Sequence, residues 1–426
     1  MKPLKTLSLI CLTAGLWAQE PGPSRLHGYV GGPYKVALAD FTGNKHTDIL
    51  LGYRNLGIVA VYQGDGAGKF SKPILNVFAD EYRKLIPNDE SWSAPHIHNV
   101  HYADLNGDQR LDLVAGIAGL STLQQGRVVI AQNLGKGQFK EVAKFRTPSQ
   151  AKGVCLVDMD KDGRLDLLYT ARGSGYKNDL KIGQLYIRRG LSGWKFGEAI
   201  ISPAGRSAYY VETADLNNDG FPDVLIPNEH DTCVTYYLNP GDQLFKAGKP
   251  LPTRKITATR IPQKKSHAIN DVRAADFNGD GNQDVLTANL GTSTLSLFLG
   301  KGDGTFKKDQ LIDAGKNGAF LSVADFDSDG DQDFAITHWT EDFASIFLNQ
   351  GGATFNRRTD YKTGQGNYGI AVGRLNADKH LDIVTANYRA RSMSVLMGKG
   401  DGTFKQAINT VNGLRLHKGK WIAADP

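Results

Sequence analysis

The segment AADFNGDGNQDVL, residues 274–286, decides how this chain is read, because it returns along the sequence at nearly regular distances. Close copies are YADLNGDQRLDLV at 102–114, LVDMDKDGRLDLL at 156–168, TADLNNDGFPDVL at 213–225 and VADFDSDGDQDFA at 323–335. Looser copies, LADFTGNKHTDIL and VGRLNADKHLDIV, stand at 38–50 and 372–384. Each holds a nine-residue loop, and the first loop positions are Asp40, Asp104, Asp158, Asp215, Asp276, Asp325 and Arg374. The unit therefore occurs seven times.

Every loop is followed by a β-type run, a polar turn, a second β-type run and a Gly-rich turn closing on Phe, as in LSLFLGKGDGTF at 295–306. The distance from first loop position to that Phe is 30 in five copies, and 35 and 38 in copies two and three, which close on Phe139 and Phe196. From Phe to the next loop it is 19 in four of six gaps, so the base unit is 49 residues. A β-rich period of that size, with alternating β-branched residues and no helical periodicity, is what a four-stranded propeller blade requires. One blade cannot bury both faces, but seven packed radially can. The predicted fold is thus all-β: a seven-bladed β-propeller of four-stranded antiparallel blades, strands A to D, with A ending at the acidic loop. A linear solenoid fits less well, since its rungs are usually shorter. Residues 25–30 are expected to add a D-type strand that closes the ring against the last blade, and 413–426 form a tail that matches no repeat element.

The loop has the pattern D-x-[DN]-x-D-G-x-x-D, with side-chain oxygens at positions 1, 3, 5 and 9 and a backbone carbonyl at 7. That number of hard oxygen donors suits calcium, and Gly at position 6 permits the sharp turn that points them inward. Four copies are complete: Asp158/Asp160/Asp162/Asp166, Asp215/Asn217/Asp219/Asp223, Asp276/Asn278/Asp280/Asp284 and Asp325/Asp327/Asp329/Asp333. Copy two keeps Asp104/Asn106/Asp108/Asp112 but has Gln109 at the Gly position. Copies one and seven, with Lys45, Arg374 and Lys379, are expected to bind nothing. An EF-hand would need a Glu at position 12 and flanking helices, which β-type residues replace here. An ion-free Asx turn is the bland alternative. Against it, carboxylates crowded within a few ångströms repel by roughly 1–4 kcal/mol per pair at protein-surface dielectrics, and a divalent cation removes that cost.

The loop pattern joined to G-x-G-D-G-T-F resembles the FG-GAP/VCBS repeats, the calcium-loop propeller repeats of integrin α-subunits and of many secreted bacterial proteins. The likeness runs over about residues 34–404. It is specific for fold and weak for function, because that family includes adhesion proteins, lectins and a few lyase-type enzymes.

Composition narrows the classes further. The chain has 426 residues, 49 of them Gly, with 40% hydrophobic and 22% charged residues, which excludes a disordered or membrane-embedded protein. The formal charge of +6 includes Lys2 and Lys5 at the N-terminus, and no run combines dense Lys/Arg with stacking aromatics, so nucleic acid is a poor partner. A basic start, an apolar run over residues 6–17 and Ala18 before polar sequence describe a secretory signal over 1–18. The run is short for a membrane span. A secreted or periplasmic propeller over 25–412 follows, without a lipid anchor. Cys155 and Cys233 are too few for a disulfide framework.

Strand parity places A–B loops and C–D turns on one face of the disc, and B–C and D–A connections on the other. Length variation gathers on that second face, where variable loops on a rigid scaffold usually carry function. Its candidate residues are Trp92, His96 and His98, then Glu229, His230 and Asp231, then His267, Asn270 and Asp271, then His338 and Trp339 with Glu341 and Asp342. Five of the ten histidines map there, which singles the face out. Two readings remain open. One is a binding module for extracellular glycan or protein. The other is a carbohydrate enzyme of lyase or dehydratase type, with His96, His98, His267, Asp271 or His338 as base or metal ligand. Convergence of His98, His267 and His338 on one point would favour the enzyme. No Ser-His-Asp, Cys-His or HExxH arrangement is present. A basic stretch over 246–265 reads as a solvated loop or a surface for an acidic polysaccharide.

Overall fold

A computed structural model describes residues 30–54, 56–78, 95–118, 126–173, 182–231, 233–257, 268–417 and 420–423. Seven four-stranded antiparallel sheets follow one another along the chain, each in strand order A-B-C-D. Blade one is Pro33–Ala39, Asp48–Tyr53, Ile58–Tyr62 and Ile74–Val77. Blades two to seven begin with inner strands His96–Ala103, Ala151–Val157, Glu212–Ala214, Ala268–Ala275, Gly318–Ala324 and Asn367–Gly373. Their outer strands are Phe139–Thr147, Phe196–Arg206, Arg254–Thr257, Gln310–Asp313, Arg357–Lys362 and Ile408–Val411. The one helix among the described residues is the single turn Gln243–Ala247.

Burial follows radial position. B strands such as Asp48–Tyr53 and Asp166–Ala171 are buried throughout, because neighbouring blades cover both their faces, and they read as unbroken apolar runs. Outer strands such as Arg357–Lys362 alternate between half-buried and exposed. Apolar packing lies between blades, one cluster per junction: Val59 and Ile97 join blades one and two, and Leu297 and Phe334 join five and six. Val36, Ile49, Val384 and Val395 close the ring between blades one and seven.

Ring closure corrects one expectation. Blade seven owns its fourth strand, Ile408–Val411, paired with Ser392–Leu396. Val30–Gly31 instead pairs with Leu414–His417, which pairs with Lys420–Ala423, so the chain ends build a separate three-stranded sheet. Once all four strands of the last repeat lie in one segment, no exchanged strand is needed.

The extra length falls between strands B and C in blades two and three and between D and A before blade two, where parity puts it. Around blade four it is shared. The D–A connection before blade five is long, but so is the C–D connection between Tyr237 and Arg254, which holds the helical turn Gln243–Ala247 on the acidic-loop side and corrects the expectation that all variation lies on the other face. Cys155 and Cys233 are both free and buried.

Candidate functional site

Each acidic loop closes on a register pair between the last A residue and the position-9 Asp, as in Ala275↔Asp284 and Ala39↔Asp48. The position-1 carboxylate winds the loop around itself. Asp276 accepts the N–H groups of Gly279 at 2.8 Å, Asp280 at 3.2 Å and Gly281 at 2.8 Å. Position 6 is left-handed in all seven copies, at φ 84 for Gly163, 86 for Gly220, 84 for Gly281 and 96 for Gly330. Lys45, Gln109 and Lys379 take the same conformation at φ 68, 66 and 69. The degenerate copies therefore keep the turn. Arg374, in place of the position-1 Asp, donates from Nε to the Lys379 carbonyl at 3.1 Å.

Position 9 has a structural task that the pattern did not disclose. Asp48, Asp112, Asp166, Asp223, Asp284, Asp333 and Asp382 are each 0% exposed. One oxygen accepts the position-2 N–H and the other an N–H at the end of strand C. For Asp284 these come from Phe277 at 3.0 Å and Gly300 at 2.8 Å, and for Asp333 from Phe326 at 2.8 Å and Asn349 at 2.7 Å. Burial pushes Asp166 up to about 7 and Asp223, Asp284 and Asp333 up to about 6, against the lowering effect of these bonds.

Position 3 divides the loops into two kinds. Where it is Asn, the amide closes the loop: Asn278 Nδ2 donates to Asp280 Oδ2 at 3.0 Å while its Oδ1 accepts the Asp280 N–H at 2.9 Å. Asn106 and Asn217 do the same to Asp108 and Asp219. Where it is Asp, a third carboxylate joins in place of the amide, and no side chain within the loop donates to it. Asp158, Asp160 and Asp166 bring oxygens within 4.8 Å of one another, as do Asp325, Asp327 and Asp333. Asp160 Oδ1 and Asp327 Oδ1 are buried without a hydrogen-bond partner. These two clusters could hold a metal ion. In the first, Arg189 supplies a cation of its own, 2.9 Å from Asp160 Oδ2 and 2.8 Å from Asp162 Oδ2.

The carboxylates that gather in these two loops come from positions 1, 3 and 9. Position 5 stands outside both clusters, so Asp162 and Asp329 do not join the carboxylates that gather. Their oxygens serve the turn instead. Asp329 Oδ1 accepts the Asp331 N–H at 2.9 Å, and Asp162 Oδ1 accepts the Arg164 N–H at 2.9 Å. Among the described residues, moreover, no three carboxylates gather as closely in the loops of Asp104/Asp108/Asp112, Asp215/Asp219/Asp223 or Asp276/Asp280/Asp284. There the position-3 amide already occupies the position-5 carboxylate.

The same loops stitch the ring. The C–D side of each blade reaches the A–B loop of the blade before it: Gly304 N–H to the Leu216 carbonyl at 2.9 Å, Asn349 Nδ2 to the Phe277 carbonyl at 2.7 Å, Gly402 N–H to the Phe326 carbonyl at 3.1 Å. Trp194 Nε1 donates to Asp112 Oδ2 at 2.9 Å, and an Ala67↔Asn376 bridge joins blade one to blade seven.

On the opposite face the A strands of six blades carry a register shift near their start, for example between Ile97 and Asn99 and between Asn367 and Ile370. A bulge re-aims side chains, and here Tyr34, His98, Tyr209, Tyr210, Phe320 and Tyr368 meet at the axis. Tyr34 and Tyr368 stack at 3.7 Å, and the Tyr209 hydroxyl lies 2.9 Å from that of Tyr34 and 2.7 Å from that of Tyr368. Backbones come so close that a Cβ on Gly369 or Gly153 would meet the Tyr34 or Tyr209 carbonyl oxygen at 2.8 Å. The axis at this end is a plug of buried aromatic rings.

The candidate residues distribute around that plug. His98 is 4% exposed, with its Nε2 3.0 Å from the ammonium of Lys152, itself 5% exposed. Burial, reinforced by Lys152, holds His98 well below the usual imidazole range. His96 stacks on His98 at 5.5 Å and meets Arg54 Nε at 3.3 Å. His338 belongs to another set, its ring nitrogens 2.9 Å from the Lys316 carbonyl and 2.8 Å from Ser345 Oγ. His98 and His338 thus share no partner. Glu229 pairs with Arg172 at 2.9 Å, and Asp231 with Arg206 at 2.7 Å. Asn270 and Asp271 are buried, Asp271 accepting from the Leu321 N–H at 2.9 Å and from Arg273 at 3.1 Å. Trp92 and His267 lie outside the described residues.

Trp339 is half-buried and stacks on Tyr388 at 5.9 Å, with the exposed Arg389 guanidinium 5.2 Å from its ring. Sequence reading singled out Trp339 but passed over Tyr388 and Arg389, which lie in the B–C connection of the next blade. No motif links them. The spacing of 49 residues from Trp339 to Tyr388 could have found the pair.

A family model for an FG-GAP-like repeat matches residues 40–115, 104–169, 170–226, 276–336 and 325–385. Among solved structures, a lectin of Agrocybe aegerita that recognises non-reducing terminal N-acetylglucosamine is 20% identical, over 84% of this chain and 86% of that one, with a TM-score of 0.50. A functionally unknown protein from Desulfotomaculum acetoxidans DSM 771 is 12% identical, over 84% and 96%, with a TM-score of 0.52. Both likenesses are of fold.

Proposed function

We propose that this chain, which belongs to the FG-GAP-like repeat family, is an exported, calcium-stabilised binding module for extracellular glycan or protein. It engages its ligand on the face opposite the acidic loops. The observation that carries this reading is the Trp339–Tyr388 pair with Arg389 laid over it. A flat aromatic surface beside a guanidinium offers stacking to a sugar ring or an aromatic side chain, and charge-assisted hydrogen bonds to an acceptor. The lectin among the fold neighbours is a precedent for glycan recognition on this architecture.

Calcium fits the second half of the reading. Donors in the loops at 158–166 and 325–333 are all oxygens, and each loop holds a buried carboxylate oxygen that lacks a partner. Because loop carbonyls also carry the inter-blade bonds, an ion there would stiffen the ring rather than touch the ligand.

A glycan array and an extracellular-protein binding screen, run with Trp339→Ala and Arg389→Ala, test the site. Binding to one ligand class that is lost in both variants supports it, and binding indifferent to both refutes it. Repeating the assay in chelator separates the ion's role: binding should vanish only where the fold melts. N-terminal sequencing of secreted material checks cleavage after residue 18.

A further inference from the structure

Between the aromatic plug and the acidic loops, the axis widens into a cavity of about 250 Å³. Its lining comes from the inner strands of five successive blades, including Lys35, His101, Cys155, Glu212 and Arg273, with the ring of Tyr210 as one wall. Below it, the last inner-strand residues are small and part-exposed, among them Ala39, Ala103, Ala214, Ala275, Ala324 and Gly373.

Arg273 is a strut. It donates to Glu212 Oε2 at 3.0 Å, Asp271 Oδ2 at 3.1 Å and the Leu321 carbonyl at 3.1 Å. Other polar groups are left unused. The Lys35 ammonium has no hydrogen-bond or ion-pair partner among the described residues and lies 5.2 Å from the centre of the Tyr210 ring. Arg273 bonds Glu212 through Oε2, leaving Oε1 of this part-exposed carboxylate to face the cavity, and His101 Nδ1 is buried without a partner. Lys35 is likewise part-exposed, so it and Glu212 face the open space of the cavity with their hydrogen-bonding capacity free for an occupant, while the unpartnered His101 Nδ1 costs about 1–3 kcal/mol.

The charges say what kind. Lys35 and Arg273 are offset by Glu212 and Asp271, and burial pushes His101 down to about 4, so its ring is neutral. A balanced lining gives no net attraction to an ion. It favours a neutral molecule that accepts from the ammonium and donates to the carboxylate, which a hydroxyl does with one group. The volume corresponds to roughly eight waters, below the usual range for drug-sized ligands. We propose that the axial cavity binds a small neutral polyhydroxylated ligand of monosaccharide size, held through hydroxyls by Lys35 and Glu212 with one face against Tyr210. This site is separate from the Trp339 surface and does not depend on it.

Saturation-transfer NMR on the full chain tests this with glucose, galactose, mannose and myo-inositol, and with glucuronate and glucosamine as charged counterparts. At least one neutral polyol should bind, more tightly than its charged counterpart, and lose at least tenfold in affinity in both Lys35→Met and Glu212→Gln. Should either variant fail to fold, the wild-type chain still answers, because the His101 imidazole resonances must shift on adding the polyol. Four results would overturn the proposal: no transfer from any neutral polyol, leaving ordered water as the occupant; tighter binding of glucuronate; an unmoved His101; or binding lost in Trp339→Ala and kept in Lys35→Met. The last assigns the sugar to the opposite face and leaves the proposed function standing.

Discussion

Asp382 Oδ1 accepts the Gly398 N–H at 2.9 Å while its Oδ2 takes the Leu375 N–H at 2.8 Å, in the one repeat whose loop begins with Arg374. That copy cannot assemble the full set of acidic ligands, yet the buried carboxylate is placed as in every other blade. Its work is to tie the start of strand B to the loop and to the end of strand C. Replacing it by Ala would leave two N–H groups facing a space without acceptors. We expect Asp382→Ala to lower stability by about 2–4 kcal/mol, on the cost of unsatisfied buried donors. Denaturant unfolding with calcium and with chelator should give the same loss. A loss seen only with calcium would make Asp382 a metal ligand instead.

How much of this was legible in the sequence depends on how local the cause is. The loops repeat because each turn must satisfy the same hydrogen bonds and the same left-handed position 6, so the period and strand order could be read directly. Strand parity placed most of the length variation, but not the lengthened C–D connection of blade four, because the count between Phe245 and the next loop does not say on which side of strand D the extra residues fall. Which acidic residues gather was harder to read, because Asp327 and Asp329 look alike in the pattern, and only the folded turn spends Asp329 on the Asp331 N–H. The aromatic plug was not legible: Tyr34 and Tyr368 look like ordinary strand residues until bulges turn them to the axis. His96, His98 and Asp271 accordingly drew attention as surface chemistry, whereas their strands bury His98 and Asp271. Ring closure also escaped, because the pairing of Val30–Gly31 with Leu414–His417 joins short segments that carry no pattern.

The backbone at position 6 yields a stabilising substitution. Gln109 holds φ 66 where four other copies have Gly. A non-Gly residue in the left-handed region costs about 1–2 kcal/mol relative to its preferred conformation, and glycine relieves this while adding freedom to the unfolded chain. Gln109→Gly should therefore raise stability by about 0.5–1 kcal/mol, and Gly281→Ala should lower it by a similar amount. Paired thermal melts would read both, and a destabilised Gln109→Gly would mean that the glutamine side chain contributes more than its turn conformation costs.

The two Asp-rich loops should differ in metal affinity. Asp160 already has Arg189 at 2.9 Å, and an arriving cation must displace or oppose it. No ion pair is made by Asp325, Asp327 or Asp333 among the described residues, so the loop at 325–333 should fill first. Calcium titration by calorimetry should show one tighter site that Asp327→Asn weakens at least tenfold, since the amide can close the loop as Asn278 does. Arg189→Gln should tighten a second, weaker site. Equal affinities in the wild-type chain would sink the distinction.

Buried imidazoles set the acid side of the stability curve. Burial, then Lys35, pushes His101 down to about 4, and burial holds His96 and His98 well below their usual range. In the unfolded chain these rings titrate near 6.5. Between the two values the unfolded state binds more protons than the folded one, so stability rises with pH across that window. The contribution is complete above about pH 6.5 and drains away as the pH falls towards 4. Buried position-9 carboxylates, whose pKa values are raised, slope the other way, so a comparison of variants is needed to isolate the rings. The stability difference between wild type and His101→Gln should shift by on the order of 1–2 kcal/mol against the wild type between pH 7 and pH 5. Urea unfolding at half-unit pH steps measures it. A difference that stays flat would show that His101 takes up its proton at the same pH in the folded as in the unfolded chain, with burial exerting no net effect on the ring.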